Sequence, residues 1–141
     1  MIELLGTCFV IMEETGRIRL PQDYIDAFGD VVFLCFGEGP HVRLLPREER
    51  DALMKAYRDK PRPLSPEDEW ALRELTRSLT EVPVKGKGRV TIPKAYREHG
   101  GFKGGEQLML VGVLRHLELW KSEETYKAAK ERQAERQRHA R

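Results

Sequence analysis

Residues 85 to 98, KGKGRVTIPKAYRE, set two glycines and five basic side chains around one short apolar run. Residues 14 to 26, ETGRIRLPQDYID, repeat the skeleton: Gly-Arg, alternating residues, Pro, then Tyr three places on. A guanidinium can grip a phosphate or a guanine edge through two parallel hydrogen bonds. Neighbouring glycines let a backbone approach DNA closely, and a two-stranded ribbon fits the major groove. Arg17 and Arg89 are therefore candidate base or phosphate contacts, beside Gly16 and Gly88. Lys85, Lys87 and Arg19 are candidate phosphate contacts whose grip weakens with salt. Lysines at a hairpin tip also discourage edge pairing, so charge alone does not decide the matter.

Catalytic chemistry has little to stand on. His41, His99, His116 and His139 lack metal-ligand spacing, and Cys8 and Cys35 form no Cys-x-x-Cys pair. His41 and His116 recur at matching hairpin turns and read as turn or edge histidines. GGFKGG lacks the Lys-Ser/Thr that a phosphate loop requires, and no serine sits in a nucleophile elbow. We expect no enzyme, no metal and no cofactor.

Gly88-Arg89 lies 72 positions after Gly16-Arg17, and the same offset maps Pro21 onto Pro93 and Tyr24 onto Tyr96. HVRLLPREE then maps onto HLELWKSEE at an offset of 75, the Gly-rich GGFKGGEQ stretch absorbing the difference. Two co-linear blocks point to duplication. Each copy reads as strand, turn, strand, short helix, strand, turn, strand, longer helix. Thr7 to Met12 and Glu81 to Val84 are first strands. RIRLP and RVTIP bury Ile18, Leu20, Val90 and Ile92 on one face. Each proline opens a short helix in its first turn. VVFLCFG and QLMLVGV read as strands buried on both faces, with HVRLL and HLELW as their hairpin partners. Helices follow over REERDALMKAYRD and over EDEWALRELTRSL, the latter capped by Ser65 with Pro66 at its first position. A terminal helix from Ser122 has so thin an apolar face that its last turns should fray. One copy of about 45 residues could hardly bury a core alone, so two should combine into one pseudo-symmetric body.

The 141 residues carry a net charge of +2, with 40% hydrophobic and 34% charged residues, ordinary for a soluble globular chain. Residues 1 to 80 hold 11 Lys+Arg against 15 Asp+Glu, and residues 81 to 141 hold 14 against 8. The basic second half suggests a polyanionic partner. The N-terminal MIELLGTCFVIM lacks a basic leader and is too short to span a bilayer, so a cytoplasmic protein with buried, reduced thiols is expected.

The doubled Gly-Arg-Ile/Val-x-Leu/Ile-Pro-x-x-Tyr motif, closed by LMLVGVLRHLELW, resembles the MraZ family of bacterial transcriptional regulators over most of residues 5 to 127. The resemblance implies an α+β fold of two tandem AbrB-like swapped-hairpin repeats, forming one pseudo-symmetric β-barrel-like body with flanking helices. Its divisions would be a first repeat over 5–49, a helical linker over 50–78, a second repeat over 79–124, and a basic tail over 125–141. It further implies sequence-specific binding of double-stranded DNA at the promoter of the cell-division and cell-wall gene cluster, nucleoid association, and octameric or dodecameric rings. No membrane partner and no small-molecule substrate is expected. The family carries Asp four residues before the arginine. Here Glu13 precedes Arg17 and Lys85 precedes Arg89; Thr15 and Lys87 occupy the position of the family's intervening Lys. The alternatives are an AbrB-like antitoxin that represses its own promoter, or an oligomeric relative that has lost DNA binding.

Overall fold

The computed structural model describes residues 2–140. Their element order is β1 (Thr7–Ile11), β2 (Arg17–Arg19), α1 (Gln22–Phe28), β3 (Val31–Phe36), β4 (His41–Leu45), α2 (Arg47–Arg58), α3 (Pro66–Ser78), β5 (Thr80–Pro83), β6 (Arg89–Thr91), α4 (Lys94–Gly100), β7 (Gln107–Gly112), β8 (Leu117–Trp120) and α5 (Glu123–His139). The fold is mixed α+β. Six strands form one sheet in the order β1-β7-β8-β4-β3-β5, and β2 pairs with β6 as a separate ribbon.

The expected barrel is not formed; the sheet is open, ending in β1 on one side and β5 on the other. The reason lies in where the strands find partners. β1 is antiparallel to β7, and β5 to β3, so each half's first strand completes the other half's sheet. β2 and β6, three residues each, pair with one another and with no strand of the six-stranded sheet, with Ile18 opposite Val90. The ribbon and the sheet therefore stack as layers, and Ile18, Leu20, Val90 and Ile92, each at most 1% exposed, fill the space between with Leu34, Leu44, Leu108 and Leu119. Alternation along RIRLP and RVTIP is what puts those four side chains inward.

Short helices α1 and α4 tie this core to the sheet. Pro21 and Pro93 occupy their N-cap positions in extended conformation, one residue earlier than expected. The Tyr24 hydroxyl donates to the Leu5 carbonyl at 2.6 Å, and the Tyr96 hydroxyl donates to the Ser78 carbonyl. On the other face of β3, a smaller cluster of Val31, Phe33, Cys35, Leu45 and Leu75 lies under α2 and α3. Ser65 caps α3 by accepting from Asp68 N at 3.1 Å, with Pro66 opening the helix. Ser122 caps α5 in the same way through Thr125 N. α5 is helical through His139, with Arg136, Arg138 and His139 in its last turn matching the helix dipole. Cys35 is buried and its thiol is pushed up to about 11 by loss of solvent, whereas Cys8 is only half-buried, short of the expected burial.

The central strands β4 and β8 carry a polar cluster on the face away from the main core. His41 is neither a turn nor an edge histidine: it is 6% exposed, opens the central strand β4, and stacks on Trp120 at 4.3 Å. Glu118 is the shared anion of this cluster. Trp120 Nε1 donates to it at 3.0 Å, while His41 Nε2 and His116 Nε2 lie 3.3 and 3.7 Å from its other oxygen. Burial pushes the Glu118 carboxyl up, but contacts with His116, His41 and Trp120 outweigh it and hold the group well below the usual carboxylate range. A carboxyl depressed in the folded state stabilises the fold above its unfolded value, about 4.3, and loses that contribution as pH falls below it. Urea titrations should therefore show Glu118→Gln less stable than the parent near neutrality, with the difference shrinking from about pH 5 downward. A constant difference across that window would contradict the role of the ionised carboxylate.

Candidate nucleic-acid interface

The two Gly-Arg turns occupy the ends of the β2–β6 ribbon. Gly16 and Gly88 adopt φ of 86° and 78°, a region that residues with a Cβ avoid. Both are buried, so their contribution is shape rather than surface. A Cβ on Gly88 would meet Ile25 Cδ1 at 2.7 Å and the Leu20 carbonyl at 3.0 Å; one on Gly16 would overlap the Arg97 guanidinium. Reciprocal bonds lock the turns onto the ribbon: Leu20 N donates to Gly88 O at 2.8 Å and Ile92 N to Gly16 O at 2.9 Å.

The arginines differ in their surroundings. Arg17 is clamped by Glu13, Nε to Oε2 at 2.6 Å and Nη2 to Oε1 at 3.1 Å. The hydrogen bond from Arg17 holds the Glu13 carboxyl below its ordinary value, with the fields of Arg17, Arg89 and Arg19 acting in the same direction. Arg19 and Arg89 stand directly opposite one another in the ribbon register. Among the described residues, no side-chain hydrogen bond or ion pair engages Arg19, Arg89, Lys85 or Lys87. Arg89 is half-exposed, and Arg19, Lys85 and Lys87 are exposed. Sequence order alone suggests that Arg89 has no anion nearby, but the ribbon brings Glu13 within electrostatic reach of it.

Five of the seven candidate residues thus present cations near one ribbon, and the two glycines shape its turns. Lys85 closes the second turn through paired backbone bonds with Arg89, Lys85 N to Arg89 O at 2.9 Å and the reverse at 3.0 Å. Lys87 itself has φ of 63° and lines an open groove with Arg19, Ile25 and the exposed Phe9 and Ile11. Two supports escape a reading of the motif alone. Arg97 packs under Gly16 with Nη1 donating to the Thr15 carbonyl at 3.4 Å, and the Glu14 carboxylate lies over Gly104 and Gly105. The 72-residue offset maps Arg97 onto Ile25, which packs under Gly88 in the corresponding place, so the offset was the available signal.

Replacing Gly88 by Ala should cost about 1–3 kcal/mol, from a left-handed backbone and a blocked Cβ position. Gly86→Ala, where a Cβ meets nothing within 4 Å, should cost less than about 0.5 kcal/mol. Urea melts of the two variants test this; equal losses would show that the Gly88 turn is not constrained.

Residues 77–141 match the family model described as "MraZ protein, putative antitoxin-like". A protein of Paraburkholderia phytofirmans named "Transcriptional regulator MraZ" is 31% identical over 134 residues, covering 92% of this chain and 88% of its own. Its namesake in Leifsonia xyli subsp. xyli is 30% identical over 129 residues, covering 90% and 88%. A third, from Corynebacterium urealyticum, is 28% identical over 129 residues, covering 89% and 87%. At this identity over nine-tenths of its length, the chain belongs to the MraZ family of transcriptional regulators, which are not enzymes.

Proposed function

We propose that this transcriptional regulator binds double-stranded DNA sequence-specifically through the β2–β6 ribbon. The observation that carries the reading is the opposition of Arg19 and Arg89, neither with a side-chain partner, beside the exposed Lys85 and Lys87. Like charges directly across a ribbon repel. A polyanion relieves that repulsion and supplies the missing acceptors. Arg89 is the main base or phosphate contact. Arg17, already satisfied by Glu13, is secondary, and Lys85, Lys87 and Arg19 hold phosphates.

The halves 5–49 and 79–124 are two AbrB-like swapped-hairpin repeats, joined by the helical segment 50–78 and followed by the basic segment 125–141. The exchange of β1 and β5 between halves supports this division. As the family resemblance implies, the target is the promoter of the cell-division and cell-wall gene cluster, and the protein works on the nucleoid in the cytoplasm. No helix of the described residues is long and apolar enough to cross a membrane. Its active form is a ring-like homo-oligomer. Phe9 and Ile11 on the edge strand β1 are 51% and 63% exposed, and Trp70 on α3 is 61% exposed; apolar surface of this kind favours self-association. Several ribbons on one ring gain affinity through effective concentration on spaced DNA repeats. Light scattering should give a species larger than a dimer at micromolar concentration; a monomer would remove the multivalent part of the reading.

On a two-site duplex from upstream of its own gene, Arg89→Ala should cost about 1–3 kcal/mol per site engaged. Lys85→Ala should weaken all sequences alike and lower the salt slope by about one unit. Arg17→Ala should cost less than Arg89→Ala. Glu13→Gln should tighten binding, because it frees Arg17 and removes a negative charge facing phosphate. Gel-shift titrations over a salt series, with melting curves to establish folding, measure all four. A folded Arg17→Ala that abolishes binding while Arg89→Ala leaves it intact would overturn the assignment.

A further inference from the structure

Between α5 and the turn that joins β3 to β4 lies a cleft of about 460 Å³, away from the Gly-Arg turns. Its floor is aromatic: His41 stacks on Trp120 at 4.3 Å, and Tyr126 meets Trp120 edge-on at 5.2 Å. Gly39 lies beside this floor, where a Cβ would make ordinary contact with His41 and the Trp120 ring, at 3.4 and 3.6 Å. The imidazole is 6% exposed and neither ring nitrogen has a hydrogen-bond partner, although Nε2 lies 3.3 Å from the Glu118 carboxylate. A buried polar group without a partner is costly, and this one belongs to a residue that lines the cleft. The α5 wall supplies Lys130, Arg132 and Arg136, none with an ion pair among the described residues, against the single acid Glu38. The volume, aromatic lining and few polar groups match what small-molecule sites use.

We propose that this cleft binds a planar aromatic anion, with its ring against Trp120 and Tyr126 and its charge against the α5 cations. Such a ligand spans two elements, because the aromatic floor comes mainly from the sheet and the cations from α5. α5 otherwise meets the body chiefly at β8, so a ligand in the cleft pins the helix down. The site owes nothing to DNA recognition, and its test uses no DNA.

The full chain carrying Trp70→Phe leaves Trp120 as its sole tryptophan. Naphthoate, naphthalenemethanol and inorganic phosphate serve as probes, followed by calorimetry and Trp120 emission, with hydrogen exchange reporting on α5. Naphthoate should bind saturably at sub-millimolar concentration and slow exchange in α5. The neutral alcohol and phosphate should each bind at least about tenfold more weakly. The double variant Lys130→Gln, Arg136→Gln, on an exposed helix face, should lose about tenfold for naphthoate. Absence of saturable binding, equal affinity for the neutral alcohol, or a loss of less than about threefold in the double variant overturns the proposal.

Discussion

The structure rests on an exchange of strands. β1 takes its hydrogen bonds from β7 and β5 takes its own from β3, so neither half of the chain completes a sheet by itself. Backbone donors and acceptors buried without partners are costly. The halves must therefore meet before either can bury its core. The β2–β6 ribbon, the two tyrosine anchors and the β4–β8 seam follow from that requirement. Stability and the geometry of the candidate interface are consequently one problem: a change that weakens the exchange also moves the ribbon.

Electrostatics divide the molecule into three regions of different character. The ribbon crowds cations onto one another, with Glu13 within the fields of Arg17, Arg19 and Arg89, and the clamp on Arg17 leaves Arg89 the freer of the two motif arginines. At the seam, Glu118 collects two imidazoles and an indole. Position 43, opposite Glu118 and equivalent to it at the 75-residue offset, is an arginine. Positions aligned by that offset thus carry opposite charge where they face each other. On α5, acids and bases alternate along an exposed helix, and its unpaired cations gather over the aromatic cleft. Near-zero net charge conceals all three arrangements.

Much of this was legible from residue order. Alternation in RIRLP and RVTIP fixed which side chains face the core, because a pleated strand turns successive residues to opposite sides. Ser65 and Ser122 announced the starts of α3 and α5, since an N-cap hydroxyl and the first-turn acids behind it act locally. The pairing of the Gly-Arg turns with Pro and Tyr three residues apart marked the ribbon residues, and the family match agrees with the motif. These are short-range properties, and a linear chain carries them explicitly.

Other features depend on residues far apart in sequence, and the tertiary structure alone decided them. The family resemblance implies a barrel, yet the sheet stays open, because β2 and β6 pair with each other and with no strand of the six-stranded sheet. His41 reads as a turn residue, but folding buries it between Trp120 and Gly37. Arg97 looks like one more surface cation, and it becomes the brace under Gly16. Glu13 was visible as a neighbour of Arg17; that it also faces the field of Arg89 required the ribbon to form. The sequence by itself determined the periodicity, the caps, the turns and the family, all of them properties of neighbouring residues. Which strand completes which sheet, and which charges end up facing each other, was settled by burial of apolar surface across separations of dozens of residues, which no local pattern encodes.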